Sequence, residues 1–154
     1  AYKIINQRDF PSFGYWIEQG ATVTWEDWDG RDSRNHPMFG GGIGWFYRDL
    51  AGLRAIDAGF RSFDVRPVIP KGLDWVNYSH ETTYGPIDIS WSCRDGEFSI
   101  TCDVPVGATA TIWVPFGSEK PKVKSNEFII PKGSRDGYAL YKVQSGRYSF
   151  NSKL

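Results

Sequence analysis

The stretch "PIDISWSCRDGEFSITCDVP", residues 86–105, limits what this chain can fold into more than any other. Ile87, Ile89, Trp91 and Cys93 alternate with Asp88, Ser90, Ser92 and Arg94, and Phe98, Ile100, Cys102 and Val104 then alternate with Glu97, Ser99, Thr101 and Asp103. A period of two sends successive side chains to opposite faces of a strand. Asp95-Gly96 between the runs suits a two-residue hairpin turn, whose central positions need positive φ. The hairpin therefore has one apolar and one polar face and covers a core on one side only. Its register sets Arg94 opposite Glu97, Cys93 opposite Phe98 and Cys102 opposite Ile89. The cysteines share the apolar face but stand four residues apart in register, roughly 13 Å at about 3.3 Å per residue, whereas a disulfide needs Cα atoms within about 7 Å. Both are expected to be free thiols.

The same period recurs on both sides of it, in "FRSFDVRPVI", "LDWVNYS", "ATATIWVP", "EFIIP", "YALYKV" and "RYSF", separated by Gly, Pro, Ser and Lys. Short strands at this spacing, each with one wet face, predict a mainly β fold, an antiparallel β-sandwich over residues 59–154. Ahead of Gly59 the period changes. "SFGYWIEQG" reads as a short helical turn entered at Ser12 and ended by Gly20 in the left-handed conformation. In "PMFGGGIGWFYRDLAGLRAI", Phe39, Ile43, Phe46, Leu50 and Leu53 recur at steps of four and three, which predicts a long helix behind Pro37. Trp45 and residues 53–56 add apolar surface off that stripe, so this helix needs neighbours on more than one side. Residues 1–58 are thus read as an α-helical segment, and the change of period near Gly59 as the domain boundary. "AYKIINQRDF" has no capping residue ahead of Ile4 and Ile5, so the chain is expected to be an internal piece of a longer one.

Lys+Arg and Asp+Glu both number 18, and no basic run forms a patch, so a nucleic-acid partner is not expected. No apolar run approaches the roughly 20 residues of a membrane span, and no membrane partner is expected either. Seven Trp suit sugar contact and a large core equally well. Neither a cofactor nor a metal is expected. Asp27, Asp29 and Asp32 with Gly30 miss the ligand order of a calcium loop, and "GGGIG" lacks the preceding strand of a dinucleotide fingerprint. No Ser/His/Asp or Cys/His nucleophile arrangement can be drawn, and two cysteines do not fix a redox compartment.

Chemistry concentrates in "TWEDWDGRDSRNHP", residues 24–37. Glu26 lies between Trp25 and Trp28, with Asp27 and Asp29 beside it. Apolar rings desolvate a carboxylate and neighbouring carboxylates repel its charge, and both effects make such a group readier to take up a proton, as a general base must. The structural alternative is a polar loop that its tryptophans anchor to the helices. His36, at the expected mouth of the long helix, offers a neutral ring to a substrate hydroxyl; alternatively it caps or packs. His80 has no partner pattern and reads as a strand-edge residue.

Taken in series, "YWIEQGATVTWEDWDG", "RNHPMFGGGIGWFYRDLAGLRAI" and "FDVRPVIPKGLDWVNYSHETTYGPIDISW" resemble the carboxy-terminal region of the α-L-rhamnosidases of glycoside hydrolase family 78, over nearly the whole chain. The resemblance implies the last helices of a six-hairpin α/α-barrel followed by a small β-sandwich. It implies an inverting hydrolase that acts on rhamnose-containing glycosides with one carboxylic acid and one carboxylate base. Glu26 of "TWEDW" matches the base, and His36 of "RNHPMFG" matches a histidine that contacts the sugar. The acid belongs to an upstream motif not found here, so the rest of the barrel is an implied partner of this segment, and the chain alone is expected to be inactive. Its uncovered helix faces are expected to dock or to self-associate. Asp27 stands where the family commonly has Arg, and the link from "WDG" to "NHP" is shorter than in many members. The rival class is a non-catalytic carbohydrate-binding or structural β-sandwich, with Trp75, Tyr78, Trp113 or Tyr84 as its stacking platform.

Overall fold

The computed structural model describes residues 1–121, 123 and 128–154, and Glu127 of the expected "EFIIP" strand lies outside them. Two compact units are formed, Ala1–Phe46 and Tyr47–Leu154.

In the first unit, helix α1 (Tyr2–Asn6) is followed by α2 (Phe13–Glu18). Ser12 caps α2 by accepting the Tyr15 N–H at 2.9 Å, and Gly20 turns the chain out at φ +80. Both ends of that helix behave as the sequence predicts. The expected long helix does not form. Residues Pro37–Gly42 make a 3-10 segment, α3 spans only Ile43–Trp45, and Phe46–Leu50 widen into a π turn. Three consecutive glycines each cost a helix about 1 kcal/mol relative to Ala, enough to override a correct apolar period. Leu53, assigned to the helix stripe, instead begins strand β1 (Leu53–Ala55) and is 4% exposed. The break between them is Gly52, at φ +84, where a Cβ would stand 2.4 Å from the backbone of Arg66. No other residue fits there.

The second unit is a two-sheet sandwich. Its strands are β1, β2 (Ser62–Val65), β3 (Trp75–Thr82), β4 (Gly85–Arg94), β5 (Glu97–Val104), β6 (Thr109–Pro115), β7 (Ile129–Arg135), β8 (Tyr138–Val143) and β9 (Gly146–Lys153). One sheet runs β1-β2-β6-β8-β7 and the other β3-β4-β5-β9. All pairings are antiparallel except β2 with β6, which is parallel. Alternation alone reports a half-buried face, not strand direction, so the exception was invisible in the sequence. The β4–β5 hairpin has the expected register, with Cys93 opposite Phe98 and Cys102 opposite Ile89, and both cysteines are free.

Ile87, Ile89, Trp91, Phe98, Ile100 and Phe150 from one sheet meet Phe63, Val65, Ile112, Val114 and Val143 from the other. Each such side chain contributes about 1.5–3 kcal/mol when fully buried. Trp91 also donates its Nε1–H to the Leu50 carbonyl at 2.7 Å, which ties the end of the π turn to the core. Pro131 sits on the edge strand β7, next to an irregularity in register between Pro131 and Ser134, where a missing N–H does least harm.

Candidate functional site

Residues 24–36 fold back on themselves as a ribbon. The His36 N–H donates to the Thr24 carbonyl at 2.8 Å, and the Thr24 hydroxyl donates to the His36 carbonyl. One step along, the Glu26 N–H donates to the Ser33 carbonyl at 2.8 Å. The Ser33 N–H in turn donates to Oε2 of the Glu26 side chain at 3.3 Å. Glu26 and the backbone partner of His36, Thr24, are therefore two residues apart on one strand of the ribbon, about 7 Å if extended. The two residues singled out in the sequence belong to one short, doubly tied element.

The turn beyond Glu26 uses its own charges. Asp27 Oδ1 accepts the Gly30 N–H at 2.7 Å and the Arg31 N–H at 3.2 Å. Asp29 accepts the Arg31 N–H at 3.1 Å and pairs with its guanidinium at 2.9 Å. Arg34 donates to the Gly30 carbonyl and lies 4.8 Å above the Trp25 ring. These acids satisfy backbone N–H groups in the manner of Asx turns. Among the described residues, no group of three or more His, Cys, Asp or Glu is gathered closely enough to hold a metal ion.

The tryptophans anchor the ribbon. Trp25 is 4% exposed and packs on Trp16, with ring centres 5.7 Å apart. Trp28 lies 4.6 Å from Trp16 and 4.7 Å from Phe39, with Phe13 edge-on at 5.5 Å. Trp16 donates its indole N–H to the Trp28 carbonyl at 3.0 Å. Trp16 is the centre of this brace, and sequence reasoning missed it. The available signal was three tryptophans in thirteen residues of a unit with little other core. Because Trp25 and Trp28 turn to the cluster, Glu26 is exposed within this chain rather than desolvated by them.

His36 is half-buried and caps the 3-10 segment, its Nδ1 accepting the Met38 N–H at 3.3 Å. Six residues of 3-10 turn supply little of the macrodipole expected from a long helix. The cap bond matters more, because in a neutral imidazole an accepting Nδ1 leaves the proton on Nε2 as a donor. His80 does have partners. Its Nδ1 lies 3.3 Å from the Tyr78 hydroxyl, and its ring meets Phe60 edge-on at 4.7 Å.

Of the four aromatic side chains proposed as a stacking platform on the sandwich, Trp113 is 9% exposed beneath the Arg66 guanidinium, which sits 4.6 Å from its ring. Tyr78 is stacked on Tyr47 at 5.4 Å. Trp75, 56% exposed, and Tyr84 remain open to solvent.

Two family models match the chain in series: the bacterial alpha-L-rhamnosidase 6 hairpin glycosidase domain over residues 1–50, and the bacterial alpha-L-rhamnosidase C-terminal domain over residues 52–128. An alpha-L-rhamnosidase of Streptomyces avermitilis is 32% identical over 97% of this chain, and one of Formosa agariphila is 28% identical over 99%. The chain spans 15% and 18% of the lengths of these two relatives. Among solved structures, the Streptomyces avermitilis alpha-L-rhamnosidase complexed with L-rhamnose matches with a TM-score of 0.86 and 31% identity, over 99% of this chain and 16% of that one. The alpha-L-rhamnosidase from Dictyoglumus thermophilum matches with a TM-score of 0.85 and 35% identity, over 99% and 18%.

Proposed function

The chain belongs to the bacterial α-L-rhamnosidases, and we propose that within a longer enzyme it supplies the general base, Glu26, and a sugar contact, His36, for inverting hydrolysis of terminal α-L-rhamnose from glycosides. In such a reaction the oxygen of a water molecule attacks the anomeric carbon as the bond to the leaving oxygen breaks. A carboxylic acid protonates that oxygen, while a carboxylate on the opposite ring face takes the proton of the water. Glu26 is the carboxylate in this reading, and the acid comes from the barrel outside this chain. His36 Nε2–H donates to a hydroxyl of the sugar and orients it.

The observation that carries the reading is how the Glu26 carboxylate is held. One oxygen accepts the Ser33 N–H, which fixes the side chain, and the other has no hydrogen-bond partner among the described residues, which leaves a lone pair for the water proton. Asp27 beside it has Oδ1 drawn into the turn, where it accepts two backbone N–H groups.

Kinetics of the full-length enzyme on an aryl α-L-rhamnoside test it. Glu26→Gln keeps the shape and the Ser33 contact but cannot take the proton, so kcat should fall by about 10²–10⁴-fold. Asp27→Asn keeps its Oδ1 acceptor and should cost far less. His36→Ala should raise KM as well as lower kcat. Near-normal turnover in the Gln variant, with loss in Asp27→Asn, would move the base by one position.

A further inference from the structure

The outward face of the sheet β3-β4-β5-β9 plays no part in the hydrolysis proposed above. Register aligns its side chains in rows across the strands. Trp75 opens one row; Asn77, Ser90 and Thr101 form the next; Asp88, Asp103 and Arg147 form the third. Short hydroxyl side chains in the middle row leave a depression of about 340 Å³.

Two features of this face run against what an ordinary solvated sheet face favours. Asp88 and Asp103 are direct cross-strand partners, an arrangement in which like charges destabilise a sheet. Arg147 relieves Asp103 from the far side at 3.6 Å, but Asp88 makes no side-chain hydrogen bond or ion pair among the described residues. Trp75 projects on the same face, and of the seven tryptophans it alone is exposed. Ser90 donates its hydroxyl to Asn77 Oδ1 at 2.7 Å, and the Asn77 amide NH₂ has no hydrogen-bond partner among the described residues.

An amide donor and a carboxylate acceptor lining a depression, with an open indole one row away on the same face, are the groups that recognise a saccharide: its C–H face stacks on an aromatic ring, and each hydroxyl both donates and accepts. Two carboxylates against one guanidinium leave the face net negative, which repels uronates and sulfated glycans and admits neutral ones. From Trp75 to the row of Asp88 is four residues of strand, roughly 13 Å at about 3.3 Å per residue, longer than one sugar ring. We propose that the outward face of β3-β4-β5-β9 is a binding surface for a neutral oligosaccharide, with Trp75 stacking one ring and Asn77 and Asp88 holding the hydroxyls of a neighbouring one.

Electrophoresis of the 154-residue chain through gels cast with a neutral rhamnan, a galactomannan or polygalacturonate tests the surface. At least one neutral polymer should retard the chain, and polygalacturonate should not. Trp75→Ala and Asp88→Asn should each weaken the retardation by about tenfold, the effect of losing one stacking or charge-assisted contact. Thr101→Arg, which fills the depression and leaves the indole in place, should do the same, so an unfolded Trp75 variant would not leave the proposal untested. No retardation by either neutral polymer, retardation unchanged in all three variants, or equal retardation by polygalacturonate each overturns the proposal. It stands independently of the hydrolytic reading: in the full-length enzyme Trp75→Ala should leave turnover of a small aryl α-L-rhamnoside unchanged, whatever Glu26→Gln does.

Discussion

Gly30→Ala asks whether the aromatic brace really fixes the ribbon that carries Glu26. Gly30 sits at φ +69, and a Cβ there would stand 2.5 Å from Cζ3 and 2.6 Å from Cε3 of Trp25. Carbon atoms pack at about 3.5–4.0 Å, so ring or ribbon must move by roughly 1 Å. The ring has little room, because Trp16 lies on it and Arg34 covers it. Left-handed backbone costs an alanine about 1–2 kcal/mol, and overpacking costs about 1–3 kcal/mol more, for about 2–5 kcal/mol together. Gly20→Ala supplies the control. Its φ is +80, but its Cβ would meet nothing within 4 Å, so it incurs only the backbone cost of about 1–2 kcal/mol. Urea unfolding followed by near-ultraviolet circular dichroism, which reads packed tryptophan, should separate the two variants by about 1–3 kcal/mol. In the full-length enzyme Gly30→Ala should also lower kcat, because Glu26 is next in sequence to the displaced ring, and Gly20→Ala should not. Equal destabilisation by both substitutions would refute the claim that Trp25 is held in place.

The cysteines provide a pH-dependent test. Burial, and then the charge of Asp74, push the Cys93 thiol up, while burial and the charges of Asp103 and Asp88 push the fully buried Cys102 much further. Alkylation needs the thiolate, so the rate at Cys93 in the folded chain should still be climbing above pH about 8.5, where an ordinary cysteine begins to level off, and Cys102 should react only after unfolding. Two thiols should titrate in denaturant without reductant, and a count of zero would contradict the hairpin register. The isolated chain should release no aryl group from an aryl α-L-rhamnoside, because the proposed mechanism draws its acid from outside these residues; sustained release abolished by Glu26→Gln would place an acid within them. Its first unit exposes Phe10, Ile17, Met38 and Ile43, so sedimentation should show self-association that rises with concentration, and a strict monomer would show that these side chains need no cover.

The β half was legible because one face of each strand is wet. In β4 and β5 a slip of one residue would bury Asp88, Ser90 and Thr101 and expose Ile89 and Ile100, so the alternation specifies the register as well as the strands. β1 was hidden for the opposite reason. At three residues it is too short to show a period, and Leu53 fits a helical stripe as well as it fits a sheet edge. Only the contact that forbids a side chain at Gly52 separates the two, and that contact is with Arg66, fourteen residues away.

In the first unit the sequence singled out the stretch proposed as a site but left the division of labour among its residues open. "TWEDWDGRDSRNHP" presents its acids as a cluster, and composition treats them as equivalent. The fold separates them by what the backbone needs at each point. A six-residue turn from Asp27 to Asp32 exposes N–H groups at Gly30 and Arg31, and the nearest carboxylates, Asp27 and Asp29, are drawn in to satisfy them. Glu26 precedes that turn, where its own N–H already has the Ser33 carbonyl, so its longer side chain needs to give up only one oxygen to the ribbon. The indoles on either side divide in the same way, spending their faces on Trp16 and Phe39. The two readings of this stretch, a braced loop and a working site, are therefore not rivals: the bracing uses Oδ1 of Asp27, both oxygens of Asp29 and the tryptophans, and it leaves one oxygen of Glu26 and the Nε2–H of His36, through which the proposed hydrolysis would run, without hydrogen-bond partners among the described residues.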